Sequence, residues 1–148
     1  MKKLTHVDQQ GKARMVDVSA KPVQLREAVA RGAIFLHRKT LVLITANRIA
    51  KGDVLSTARL AGIQAAKRTS ELIPLCHPLN LSHIDVDLRP KHDRIEITAT
   101  AKIAAQTGVE MEALTAVAVT ALTVYDMCKA VDKEMVIGEI TLVSKTKK

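Results

Sequence analysis

The stretch SHIDVDLRPKHDRIEITATA, residues 82–101, decides the fold of this chain of 148 residues. Ile84, Val86 and Leu88 alternate with His83, Asp85 and Asp87; after Lys91-His92-Asp93, Ile95, Ile97, Ala99 and Ala101 alternate with Glu96, Thr98 and Thr100. Period-two alternation on both sides of a short charged turn predicts a hairpin with one buried face. Outward from it the sequence is nearly symmetrical. On the N-terminal side, residues 53–72 place Val54, Ala58, Ala61 and Ala65 at helical spacing and end before Pro74, which cannot continue a helix. On the C-terminal side, Thr107 followed by Glu110 fits a reciprocal capping box that opens a helix running to about Lys129. Residues 24–36 and 135–143 predict the first and last strands, and residues 40–47 a short apolar helix.

The resulting order of strand, helix, strand, strand, helix, strand predicts an α+β, ferredoxin-like protomer: an antiparallel sheet with helices packed on one face. Residues 1–14 read as a polar flexible leader, 15–145 as a single domain and 146–148 as a basic tail. Hydrophobic residues make up 47% of the chain but aromatics only 1%, Phe35 and Tyr125 alone, so the core has to be aliphatic. Residues 113–125 contain only Ala, Leu, Val, Thr and one Tyr, a helix apolar around its circumference, which favours burial against further copies of the chain. That run is too short to span a bilayer, and the leader has no apolar signal region, so a cytoplasmic protein without a membrane partner is expected. Cys76 and Cys128 are too few for a disulfide framework and are expected as free thiols.

Costly residues stand out against this bland background. Carboxylates occur at both ends of the apolar helix, in Glu110-Met111-Glu112 and Asp126-Met127-Cys128-Lys129, where each must be paired or shift its pKa. Asp126 and Lys129 share a helix face, so they form either an exposed ion pair worth about 0.2–0.5 kcal/mol or a functional couple. Lys51, in Lys51-Gly52-Asp53-Val54, precedes a helix whose dipole disfavours a cation; it is either a solvated turn lysine or an acid–base group. His77 in Leu75-Cys76-His77-Pro78-Leu79 reads as a turn residue. The divergent side chains of adjacent Cys76 and His77, with no second ligand pair at metal spacing, argue against a metal centre. The net charge is +8, from 23 Lys and Arg against 15 Asp and Glu, and part of it lies in the termini. A basic ferredoxin-like sheet raises the possibility of RNA binding, but two aromatic residues cannot build a stacking platform, so no nucleic-acid partner is expected.

These words, with Ala61-Gly62-Ile63-Gln64-Ala65-Ala66-Lys67-Arg68-Thr69 and Tyr125-Asp126-Met127-Cys128-Lys129-Ala130, resemble the cyclic pyranopterin monophosphate synthases, the protein C family of molybdenum cofactor biosynthesis. The resemblance runs from Met15 to Lys145. It implies a lyase that converts 3′,8-cyclo-7,8-dihydroguanosine 5′-triphosphate to cyclic pyranopterin monophosphate and pyrophosphate. It also implies a homohexamer, a trimer of dimers, with active sites between subunits. Lys51, Asp126 and Lys129 match its catalytic positions. Leu75, Cys76, His77, Met111 and Glu112 match segments that border the substrate, while Lys21, Arg26, Lys67 and Lys145 match phosphate-side contacts. No resident cofactor is implied; Mg²⁺ enters, if at all, with the triphosphate. A departure falls on the Lys145 contact: family members commonly continue with a Lys-Ser-Gly-Gly tail, whereas this chain ends Lys145-Thr146-Lys147-Lys148. A nucleotide-binding regulatory oligomer is the non-catalytic alternative.

Overall fold

The computed structural model describes residues 5–148; residues 1–4 of the polar leader lie outside the described residues. Its elements are β1 (Gln24–Phe35), α1 (Arg38–Thr45), α2 (Val54–Lys67), α3 (Thr69–Leu72), β2 (His83–Pro90), β3 (Arg94–Ala105), α4 (Glu110–Cys128) and β4 (Val136–Lys147). The four strands form one sheet in the order β2-β3-β1-β4, every neighbouring pair antiparallel. The expected ferredoxin-like arrangement is therefore present, and the hairpin of β2 and β3 forms one side of it.

The alternation in β3 sends Ile95, Ile97, Ala99, Ala101 and Ile103 into the core and leaves Thr98 and Lys102 exposed. On the neighbouring strand Ala28 and Ala30 pair directly with Ala101 and Ala99, and all four are fully buried. Small side chains here let α4 lie close to the sheet, where Ala113, Ala116, Val117, Ala121 and Val124 are also fully buried. The core thus needs almost no aromatic mass. α4 is long and apolar enough, by length and composition, to cross a membrane, longer than the 113–125 run suggests; in this fold it packs on α2 and on the sheet.

Three expectations are corrected. The helix predicted over 53–72 breaks at Arg68 into α2 and the single turn of α3, with the buried Thr69 hydroxyl donating back to the carbonyls of Ala65 and Ala66 at 3.2 and 2.9 Å. No capping box forms at α4: Val109 occupies the N-cap without a side-chain bond, and Glu110 is used elsewhere. The segment read as a basic tail is strand. Thr146 and Lys147 pair with Glu27 and Arg26, and Leu25 and Lys148 exchange backbone hydrogen bonds of 3.0 and 2.9 Å.

α2 and α4 run antiparallel, with Lys51 before α2 touching the end of α4 and Gly62 seated over Ala116 and Thr120. A Cβ at position 62 would overlap the Thr120 hydroxyl and stand 3.0 Å from the Ala116 carbonyl oxygen. That hydroxyl is itself bonded to the same carbonyl at 2.7 Å. Gly62→Ala gains about 1 kcal/mol of helix propensity but forces the helices apart, an overpacking cost of roughly 1–3 kcal/mol or more. A lower urea midpoint is expected; a raised midpoint would show that the helices do not need this close approach.

Candidate active site

Lys51 is delivered by a tight turn. The Gly52 N–H donates to the Ile49 carbonyl at 3.0 Å, and Gly52 adopts a φ of 106°, a conformation glycine takes without a Cβ penalty. Asp53 then caps α2, accepting from the Ser56 N–H at 3.0 Å and its hydroxyl at 2.9 Å. From this turn the Lys51 ammonium reaches across to α4, donating to Asp126 Oδ2 and to the Asp126 carbonyl oxygen, each at 3.0 Å. Lys129 approaches the other carboxylate oxygen, Oδ1, also at 3.0 Å. The expectation that Lys51 sits at an unfavourable helix start is corrected: its ammonium lies at the C-terminal end of α4, where the dipole favours a cation.

One carboxylate thus carries an ammonium on each oxygen. Hydrogen bonds from Lys129 and then Lys51, with the two positive charges, hold the Asp126 carboxyl below its ordinary range. All three side chains are about half exposed, so the pairs contribute little to stability.

A second group gathers at the opposite end of α2 and α4. Lys145 Nζ is 2.9 Å from Glu110 Oε1. Burial acts to raise the Glu110 carboxyl, but the Lys145 bond and the charges of Lys145 and Arg26 outweigh it and hold the group below its usual range. The Arg26 guanidinium is anchored by backbone acceptors, the Ala105 carbonyl at 3.1 Å and the Gln106 carbonyl at 3.2 Å. A cleft of about 200 Å³ runs beside Arg26, Glu110 and Lys145, and a wider one of about 490 Å³ is lined by Arg26 and Glu110 with Lys21 and Gln106. Glu112 is 4% exposed, and burial, abetted by the Glu110 charge, raises its carboxyl from 4.5 to about 6 despite a backbone hydrogen bond. Burial first, then Glu112, raises the Cys76 thiol, which argues against a thiolate nucleophile. His77 Nε2 lies 2.6 Å from the Val16 carbonyl, so that nitrogen carries the proton.

The structure therefore brings Lys51, Asp126 and Lys129 together at one end of α4, and Cys76, Met111 and Glu112 at the other, with Arg26, Lys21 and Lys145 beside them. Leu75 and His77 flank Cys76 in the chain, and the antiparallel helix pair carries Lys67, at the end of α2, toward the same end. It does not join the two groups. At about 1.5 Å of rise per residue, the fourteen positions from Glu112 to Asp126 separate them by roughly 21 Å along the helix. Glu110 belongs with the second group and was missed in the sequence because Thr107-x-x-Glu110 mimics a cap. Among the described residues no set of three or more His, Cys, Asp or Glu side chains is placed to hold a metal ion.

Residues 15–148 match the family model described as the MoaC family. The chain is 60% identical over 148 residues to the cyclic pyranopterin monophosphate synthase of Heliobacterium modesticaldum, covering 99% of this chain and 93% of that one. It is 58% identical to the enzyme of that name from Parvibaculum lavamentivorans, over 98% and 92% of the two chains. It is also 62% identical to cyclic pyranopterin monophosphate synthase 3 of Mycobacterium bovis, over 97% and 81%.

The raised Glu112 carboxyl makes a stability prediction. Between pH 4.5 and about 6 the folded chain holds a proton that the unfolded chain releases, so this group's contribution to stability rises as pH falls through that window. Above it the buried anion costs about 2 kcal/mol. Glu112→Gln is expected to raise the urea midpoint at pH 8 relative to the wild type, with the difference fading by pH 4.5. A difference that does not vary with pH would refute the buried-anion account.

Proposed function

This chain belongs to the MoaC family, and on that premise we propose that it is a cyclic pyranopterin monophosphate synthase. It converts 3′,8-cyclo-7,8-dihydroguanosine 5′-triphosphate to cyclic pyranopterin monophosphate with loss of pyrophosphate, a lyase reaction of molybdenum cofactor biosynthesis. The observation that carries the mechanism is the convergence of Lys51 and Lys129 on separate oxygens of Asp126.

Opening the imidazole part of the purine, closing the pyran ring and forming the cyclic phosphate each move protons. A carboxylate held anionic between two ammonium groups suits this work, because it orients both proton-bearing groups, and when one lysine gives up its proton the other ammonium keeps the carboxylate paired. Arg26, Lys145, Lys21 and Lys67 take the triphosphate, Arg26 as a fork preset by its backbone acceptors and the lysines as point charges. Leu75, Cys76, His77, Met111 and Glu112 border the remainder of the substrate. No step requires a resident cofactor.

The roughly 21 Å between the two groups supports a further part of the reading. The acid–base end of one protomer serves the phosphate-binding end of another, in a homo-oligomer whose count, from the family resemblance, is six. The exposed Leu60 and Leu122, 62% and 57% accessible, are apolar surface of the kind that association covers. A cytoplasmic location goes with this reading, supported by the packing of α4 within the fold.

Lys51→Ala, Asp126→Ala and Lys129→Ala are each expected to lower turnover of the cyclic triphosphate by about 10²- to 10⁴-fold with the oligomer intact by light scattering. Arg68→Ala, at an exposed position, should leave turnover near wild type. Mixed Lys51→Ala and Arg26→Ala chains should regain part of the activity that each lacks alone. A regulatory nucleotide binder would instead show no turnover in the wild type and a loss of affinity in the variants. Failure of the mixed chains to recover would overturn the shared site.

A further inference from the structure

We propose that Asp132 is a positioning residue for the Lys51–Asp126–Lys129 group, tying together the two chain segments that carry its lysines; this rests on the acid–base reading above. Asp132 is 2% exposed although its neighbours Val131 and Lys133 are exposed. The N–H groups of Val131 and Asp132 both return to the Cys128 carbonyl, each at 3.0 Å, winding the chain tightly behind Lys129. The Asp132 carboxylate then reaches α1. Oδ2 accepts the His37 N–H at 2.9 Å and the hydroxyl of buried Thr40 at 2.9 Å, while Oδ1 accepts the Glu134 N–H at 3.1 Å.

α1 has no side-chain cap, and this distant carboxylate instead ties down its start through the His37 N–H and the Thr40 hydroxyl. Burial acts to raise the Asp132 carboxyl, but the bonds from His37, Glu134 and Thr40 outweigh it and hold the group below its ordinary range. It is an anion at neutral pH. The facing His37 ring turns chiefly to Glu134, 2.6 Å from Oε2 against 3.8 Å from Asp132 Oδ1.

The consequence lies in what each segment leads to. Lys129 stands three residues before Asp132. Beyond α1 the chain turns through Asn47, at φ 53°, and reaches Lys51 at the Gly52 turn. Both lysines hang from segments joined at one buried carboxylate, whereas their own half-exposed ion pairs with Asp126 are too weak to fix them. A displacement of about 1 Å in a reacting constellation can cost on the order of 10²-fold in rate. The substrate-gripping residues, at the far end of α4, should not feel it.

The test uses the full-length oligomer and the cyclic triphosphate. Thr40→Val keeps the volume and removes one donor to Oδ2; Asp132→Asn removes the charge. Both are expected to lower kcat by about 10- to 100-fold while KM, circular dichroism and light scattering stay at wild-type values. Thr40→Ser, which restores the hydroxyl, should recover most of kcat. If Asp132→Asn does not fold, the Thr40 pair decides. A Thr40→Val enzyme with wild-type kcat, or one that raises KM as much as it lowers kcat, overturns the inference. An inactive wild type would instead overturn the underlying functional reading.

Discussion

The closeness with which α4 packs against both α2 and the sheet is the constraint on which the rest depends. Ala99 and Ala101 face the helix-covered side of β3, Ala28 and Ala30 that of β1, and Gly62 sits against Ala116 and Thr120 from α2. Small residues on three surfaces let backbones approach, and the dispersion gained by dense aliphatic packing replaces the contribution that aromatic rings make in other cores. A helix clamped in this way cannot turn about its axis. Its two charged ends are therefore fixed in direction, one toward Lys51 and the other toward Arg26 and Lys145.

That fixing gives two carboxylates on one helix opposite electrostatic characters. Asp126 is exposed and flanked by ammonium groups, which hold it ionised. Glu112 is buried and raised to about 6, chiefly by loss of water. Environments that push the pKa values of two acids apart are the usual means by which one fold supplies both a permanent anion and a group that titrates near neutrality. Here the separation follows from position along α4: its C-terminal end emerges beside the Lys51 turn, and its first turn lies under the segment containing Cys76.

How far the sequence discloses this depends on whether a feature is local. The alternation of 84–88 and 95–101 is a short-range pattern dictated by one buried sheet face, so the hairpin and the strand order around it are legible. The break at Arg68 is not, because it depends on the Thr69 hydroxyl returning to Ala65 and Ala66, a choice made only once the helix is packed. Glu110 misleads for a related reason. Its spacing from Thr107 satisfies the capping pattern, yet Lys145, 35 residues away, offers a charged partner that a backbone N–H does not match. Lys145 in turn lies past the strand predicted over 135–143, since Ser144-Lys145-Thr146-Lys147 carries no alternation; its place in the strand is imposed by pairing with β1.

The acid–base group shows the same limit in sharper form. Asp126 and Lys129 are neighbours on a helix and can be paired by inspection, but Lys51 joins them across 75 residues of sequence. Local reasoning even gives Lys51 the wrong dipole, placing it at the start of α2 when its ammonium rests at the end of α4. The motif resemblance names all three residues without saying why they meet. The reason is topological: in a split arrangement with antiparallel crossover helices, the turn before the first helix lies beside the end of the second. Any lysine in that turn is brought to the C-terminal carbonyls of α4, where the helix dipole favours it and Asp126 awaits it. The same topology sends the start of α4 and the end of α2 to the far side, so a single protomer separates the Lys51–Asp126–Lys129 group from the Arg26–Glu110–Lys145 group. On the proposed reading, association of protomers is what brings the two together.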